Sequence, residues 1–165
     1  MKRILITGMS GTGKSAVIGE LLQRGYHAVD LDAPEWSHWV DAVPGDDLTP
    51  KDGQDWVWQE DRVRNLLTLN EGKDLFVSGC AENMGKLFDV IDTIVLLSAP
   101  LGTIMDRLGD RERSGVGYGQ TAGERRKVAE LIEAVEPLLR QSAHIEIDTR
   151  QPVAQTVDQI LAKVA

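Results

Sequence analysis

Eight residues near the start of the chain, Gly8 to Ser15 (GMSGTGKS), satisfy every fixed position of the pattern G-x-x-x-x-G-K-[ST]. Glycines at 8, 11 and 13 let the backbone curl so that successive N–H groups turn inward, the arrangement that surrounds phosphate oxygens. Lys14 is spaced to reach the β- and γ-phosphates of a nucleoside triphosphate, and Ser15 offers a hydroxyl to Mg2+. A helix opening here points the positive end of its dipole at the anion. The expected ligand is therefore ATP with Mg2+, held by Gly8, Met9, Ser10, Gly11, Thr12, Gly13, Lys14, Ser15 and Ala16. A second group of charged residues, Arg107, Arg111 and Arg113, has the planar guanidinium that matches phosphate oxygens and could stabilise charge on a transferring phosphoryl group. The structural alternative is a solvated loop whose charges are paired by Asp110 and Glu112.

These residues need a frame, and the apolar pattern supplies one. Lys2 to Thr7 (KRILIT) reads as a short buried strand running straight into the glycine turn, the context that the phosphate motif requires. Ser15 to Gln23 follows as a helix stopped by Gly25. Tyr26 to Leu31, Asp74 to Ser78 and Thr93 to Ser98 are further strands. The last two are continuous apolar runs, as in parallel strands covered on both faces. His144 to Asp148 alternates and suits a strand nearer the sheet edge. After Thr121, Val128, Leu131, Ile132, Val135, Leu138 and Leu139 keep helical spacing, with Thr121 and Glu124 as a capping box and Pro137 bending the last turns. A final helix begins near Pro152. Alternating strands and helices imply a parallel sheet with helices on both faces, in one domain spanning 1–165. Two stretches break the alternation, 33–72 and 109–120, and both are expected above the carboxyl edge of the sheet, where open α/β sheets bind ligands.

Composition narrows the function. The chain has 165 residues, 42% hydrophobic and 27% charged, with a formal net charge of −8. That acidity argues against a general nucleic-acid binder, which carries a basic face. No apolar run approaches the roughly 20 residues needed to cross a bilayer, and the apolar start ends too early in a glycine loop for a secretory signal. One cysteine, Cys80, permits no internal disulfide and fits a reducing cytoplasm; it reads as a packing residue rather than a nucleophile. His27, His38 and His144 have no partner pattern. A guanine-reading N-K-x-D is absent, and Asp106 to Gly109 (DRLG) falls in a helix. Neither apolar strand ends in the acid expected of a motor ATPase.

With these residues in view, the chain resembles the shikimate kinase and nucleoside-monophosphate kinase group of small P-loop kinases, and also bacterial proteins described only as ATP-binding. The resemblance rests on GMSGTGKS, on Asp30 and Asp32 ending the second strand, on the small turn Ser78-Gly79-Cys80, and on the arginine-bearing stretch from Arg107 to Arg113. It implies a P-loop NTPase three-layer α/β sandwich, with a five-stranded parallel sheet in order 2-3-1-4-5. It also implies an acceptor-binding insertion at 33–72 and a mobile lid at 109–120. Asp32 would position the acceptor hydroxyl, act as base, or hold a magnesium-bound water; otherwise it caps a helix starting near Pro34. Arg107 would lie against adenine, Arg111 and Arg113 would close with the lid, and the turn Asp148-Thr149-Arg150 would contact adenine. Two features depart from the group. The insertion lacks the regularly placed arginines that hold acceptors in its well-characterised members, and the 78–80 turn has a single glycine.

All four tryptophans, Trp36, Trp39, Trp56 and Trp58, fall in the 33–72 stretch. They fit either an acceptor pocket with stacking walls or a mini-core, since Trp36 with Trp39, and Trp56 with Val63 and Leu67, stand at helical spacing. Arg62 and Arg64 are candidate anchors for an acidic acceptor. The resulting expectation is transfer of the ATP γ-phosphoryl group to a small-molecule or nucleotide acceptor by a cytoplasmic monomer or homodimer. The rival is a nucleotide-binding switch of low turnover that works through a protein partner.

Overall fold

The structure, a computed structural model, describes residues 1–45, 49, 51, 53–69, 71–114 and 122–165, with the side chains of 111–114, 122 and 124 outside the description. Strand β1 (Arg3–Thr7) is the centre of a five-stranded parallel sheet. Ile4, Leu5 and Ile6 are all fully buried. Successive side chains of a strand point to opposite faces. Leu5 accordingly packs with Leu31, Val77 and Leu96, while Ile4 and Ile6 pack with Val17, Phe76, Val95 and Ile147. Both faces are covered, which is why the strand reads as an unbroken apolar run.

The remaining sheet strands are β2 (His27–Asp30), β5 (Leu75–Ser78), β6 (Thr93–Ser98) and β7 (Ile145–Asp148). The sheet runs β2-β5-β1-β6-β7. With the two strands of the 33–72 stretch left out of the numbering, this is 2-3-1-4-5. Helices α1 (Lys14–Gln23) and α5 (Val153–Val164) cover one face through Val17, Leu21, Val157 and Ile160. The other face is covered by α2 (Glu60–Thr68), a 3-10 segment (Glu82–Val90) and α4 (Ala122–Ser142), which contribute Val63, Leu67, Met84, Leu87 and Leu139. Pro137 lies inside α4. Among the described residues no helix is long and apolar enough to cross a membrane.

Both irregular stretches correct the sequence reading. In 33–72 the chain forms an antiparallel hairpin, β3 (Ser37–Asp41) with β4 (Gln54–Trp58), before α2. Trp39 pairs across the hairpin with Trp56 at a ring separation of 5.0 Å and an interplanar angle of 64°. The spacing of Trp36 and Trp39 is thus not helical, and no helix near Pro34 awaits a cap from Asp32: residues 31–36 are turns. In 109–120, residues 109–114 complete α3 (Leu101–Ser114) instead of forming a loop. Ile104 and Leu108, one turn apart, bury that helix against Val128, and the helix runs on through charged residues that need no apolar face. Residues 115–120, the rest of the expected lid, lie outside the described residues, as does Thr121 of the expected capping box.

Phe76 of β5 is 1% exposed and takes Tyr26 edge-on at 5.6 Å. Phe76→Ala is expected to lower the unfolding free energy by roughly 3–5 kcal/mol, measured by urea denaturation.

Candidate functional site

The phosphate loop is set by close contacts at two glycines. Gly8 has φ 154°, and a Cβ there would meet the Leu97 carbonyl oxygen at 2.6 Å and Thr12 Oγ1 at 2.7 Å. Gly11 has φ 84°, and its Cβ would meet Ile104 Cγ2 at 2.9 Å. The loop is thereby pressed between the end of β6 and α3. Thr12 Oγ1 donates to the Met9 carbonyl at 2.7 Å, and Lys14 Nζ donates to the carbonyls of Gly8 (2.6 Å) and Met9 (3.1 Å). Gly13, with φ 101°, starts α1, whose first turn carries no acid. Its N-terminal N–H groups and dipole are therefore not offset by an acid of that turn, as suits an anion-binding helix start.

Behind the loop, Arg107 acts as a clasp. Its Nη1 donates to the Gly11 carbonyl at 2.9 Å and to Thr149 Oγ1 at 3.0 Å, and its Nη2 donates to the Thr149 carbonyl. Thr149 Oγ1 in turn reaches the Thr12 carbonyl at 2.7 Å. One guanidinium thus joins α3, the phosphate loop and the turn after β7. Arg150, on that turn, is exposed and paired with Asp148 at 2.9 Å.

In front of the loop stands Asp32. Its Oδ1 accepts from Trp58 Nε1 at 3.0 Å and its Oδ2 from the Cys80 N–H at 3.1 Å. Its carbonyl accepts from Trp56 Nε1 at 2.7 Å, and its N–H donates to Asp30 Oδ1 at 3.0 Å. Gly79 makes this possible. A Cβ there would sit 2.7 Å from Asp32 Oδ1 and 2.9 Å from Trp58 Cζ2. Burial raises the proton affinity of the Asp32 carboxyl above its ordinary value, and the nearby Lys14 charge and the Trp58 hydrogen bond partly oppose it. Burial likewise raises the Cys80 thiol, which keeps it protonated.

Lys14 and Asp32 open onto one cavity of about 730 Å3. Trp39, Asp55 and Trp56 of the hairpin form one wall, Met84 and Phe88 of the 3-10 segment a second, and Leu131, Val135 and Leu139 of α4 a third. The cavity brings together Met9, Ser10, Lys14 and Asp32 from among the expected site residues. Arg107 and Arg150 lie behind the loop and beyond β7, while the side chains of Arg111 and Arg113 fall outside the described residues. The tryptophans divide. Trp39 and Trp56 line the cavity, Trp58 is 1% exposed and holds Asp32, and Trp36 stacks under Arg62 at 5.0 Å. Arg64 is paired with Asp89 at 2.8 Å. Sequence reasoning placed Thr149 in an adenine-contacting turn and missed its part in the Arg107 clasp, and it missed the α4 wall, whose apolar stripe announced a buried face without saying what it faces.

Among the described residues no cluster of three His, Cys, Asp or Glu could hold a metal by protein ligands alone. The donors present, the exposed Ser15 at the start of α1 and the Asp32 carboxylate, are hard oxygens. They fit Mg2+ shared with a nucleotide, which takes few protein ligands.

A glycine-rich loop joining the central strand of a parallel five-stranded sheet to the next helix, with a cavity at its mouth, is a fold shared with small P-loop kinases. The chain belongs to the AAA domain family, whose model matches residues 4–133. It is 30% identical over 152 residues to a protein of Delftia acidovorans (strain DSM 14801 / SPH-1) described as a nucleotide-binding protein; the match takes in 88% of this chain and 46% of that relative's length. Two solved structures are similar in fold. Shikimate kinase from Acinetobacter baumannii, in complex with shikimate, has a TM-score of 0.63 and 22% identity over 99% of this chain and 92% of that one. A gluconokinase from Sinorhizobium meliloti 1021 has a TM-score of 0.61 and 20% identity over 98% and 90%.

A carboxyl whose proton affinity is raised by folding makes the folded state bind more protons than the unfolded one, so its cost to stability grows as pH rises above the unfolded value. Asp32→Asn is therefore expected to stabilise the protein at pH 7. The gain should shrink toward pH 3, below the ordinary carboxyl value of 3.8, where the wild-type carboxyl is mostly protonated in both states. Urea denaturation at the two pH values measures it, and an equal effect at both would contradict the assignment.

Proposed function

We propose that the protein transfers the γ-phosphoryl group of ATP to a hydroxyl of a small molecule held in the cavity beside Asp32. The observation that carries this reading is the convergence of Lys14 and the Asp32 carboxylate on one largely apolar cavity, with that carboxylate fixed by Trp58 Nε1 and the Cys80 N–H. A nucleotide-binding module acting on water alone has no need of a walled cavity at this point. Phosphoryl transfer is mostly positioning and charge stabilisation, which such a frame supplies.

In this reading Gly8 to Ala16 bind the phosphates, and Lys14 reaches the β- and γ-groups. Ser15 and Asp32 would help hold Mg2+, which would supply neutralisation of charge on the transferring group. Asp32 orients the acceptor hydroxyl and receives its proton. Arg111 and Arg113 contact the transferring group, and Arg107 and Arg150 flank adenine. The whole chain works as one domain, with 33–72 as acceptor wall and 109–120 as lid, in the cytoplasm as a monomer or homodimer. The 30% identical relative is described only as nucleotide-binding, which leaves the switch reading as the alternative outcome of the same experiment.

ADP release measured with and without a panel of small hydroxyl compounds tests the proposal. A kinase shows acceptor-dependent release, whereas a switch binds ATP and responds only to a macromolecule. Lys14→Ala is expected to lower acceptor-dependent turnover at least about a hundredfold while leaving the unfolding midpoint nearly unchanged, because the ammonium stabilises charge in the transition state. Turnover that survives in a folded Lys14→Ala protein would refute the phosphate-loop mechanism.

A further inference from the structure

We propose that the acceptor is an alcohol whose body is hydrocarbon, an aryl or alicyclic ring system, and not a polyol. This rests on the phosphotransferase reading and specifies its substrate class. The cavity of about 730 Å3 has the size of a small-molecule site, and each of its three described walls presents hydrocarbon. On α4, Leu131, Val135 and Leu138 recur at the spacing of one helix face and line the cavity together. Leu139 beside them is buried in the core, whereas Leu138 is left 59% exposed. The hairpin adds Trp39, 43% exposed, and the 3-10 segment adds Phe88.

The hydrogen-bonding groups that surround Asp32 are already engaged. Trp56 Nε1 donates to the Asp32 carbonyl at 2.7 Å, so this ring of the hairpin wall offers the cavity no donor. Trp58 Nε1 and the Cys80 N–H are held by the Asp32 carboxylate, and Asp55 Oδ1 accepts from the Trp56 N–H at 2.8 Å. Hydroxyls set around the body of a sugar-like acceptor would turn toward the α4 stripe and Phe88. Each would lose its water without gaining a partner, which costs more than its contacts return. A hydrocarbon body meets the opposite situation. It covers Trp39 and Leu138, which the folded chain otherwise leaves facing water. The single hydroxyl of such an alcohol has one matched place, beside the fixed Asp32 carboxylate.

Transfer forms a bond between the alcohol oxygen and the γ-phosphorus and breaks the bond from that phosphorus to the oxygen it shares with the β-phosphorus. That oxygen leaves with ADP, and the hydroxyl proton passes to the Asp32 carboxylate and then to solvent. The ring system is unchanged by the reaction and serves to seat the hydroxyl.

Two pairs of probes test the class. Cyclohexanol and myo-inositol share a six-carbon ring and differ in how many hydroxyls it carries, while 2-phenylethanol and 2-(2-naphthyl)ethanol differ by a fused ring. Their binding to the full chain with ADP and Mg2+ is followed by ligand-observed NMR, with ADP release from ATP measured in parallel samples. Cyclohexanol is expected to bind at least about tenfold more tightly than myo-inositol. The naphthyl alcohol should bind about fivefold more tightly than the phenyl one, from the apolar area its second ring buries. Leu138→Ser, at an exposed position outside the core, and Val135→Ser should each weaken binding of the naphthyl alcohol about threefold. Binding of myo-inositol as tight as that of cyclohexanol, no gain from the second ring, binding of none of the probes, or a naphthyl affinity unaltered in both variants overturns the proposal. If the naphthyl alcohol binds as expected and none of the alcohols releases ADP from ATP, the phosphotransferase reading fails while the apolar preference stands. If ADP release depends on myo-inositol alone, the phosphotransferase reading stands and this proposal fails.

Discussion

The approach of Asp32, Trp58 and the 78–80 turn to one another is the constraint on which the site depends. A carboxylate at the end of β2 is held by an indole from β4 and by a backbone N–H that follows β5. These three elements are adjacent only because the parallel sheet sets β2 beside β5 and because the hairpin folds back over their carboxyl ends. Gly79 leaves the space in which they meet, since any Cβ would fall within 3 Å of both the carboxylate and the indole. The arrangement leaves a charge partly removed from water, and folding bears that cost in the raised proton affinity of Asp32. Such a cost persists where the surrounding structure over-determines it, as functional sites do.

The loop side of the site is organised in a different way. Its rigidity comes from backbone sterics at Gly8 and Gly11 and from the Arg107–Thr149 clasp, with no contribution from the hairpin. Apart from the Lys14 charge beside Asp32 and the cavity both line, the two halves share the sheet and little else. Interactions that fix the nucleotide loop can stay constant while the hairpin, the 3-10 segment and α4 change the shape and charge of the cavity. That separation accounts for one fold serving many acceptors, and it is why kinship in fold at about 20% identity carries no acceptor identity.

Much of the frame was legible because it follows from local rules. Continuous apolar runs gave β1, β5 and β6, and the alternation of HIEID marked β7 as an edge strand. A complete phosphate motif between a strand and a helix gave the loop. The hairpin was not legible. Trp36 and Trp39 three apart imitate a helical stripe, while the true partner of Trp39 is Trp56, and the long connection between β3 and β4 lacks the two-residue turn that would signal a hairpin. The far end of α3 escaped because its residues are charged and bury no stripe, so periodicity had nothing to detect. The partners of Asp32 lie 26 and 48 residues away in sequence, and no spacing rule reaches that far; only the expectation that Ser78-Gly79-Cys80 forms a small turn pointed toward one of them.

Electrostatics explains the position of Lys14 between the two halves. ATP brings several negative charges to the mouth of a cavity that already holds Asp32, Asp55 and Glu82, and at short range like charges repel by about 1–4 kcal/mol per pair, depending on how much water separates them. An ammonium placed between the phosphates and the Asp32 carboxylate lowers both costs at once. It is the main influence holding down the proton affinity that burial raises at Asp32. In the proposed reaction, the charge that would bind the nucleotide also holds Asp32 closer to the ionised form that could accept a hydroxyl proton. In the proposed phosphotransfer, nucleotide binding and acceptor activation would be coupled through this one side chain, because drawing Lys14 toward the phosphates would leave Asp32 a stronger base when the acceptor must lose its proton.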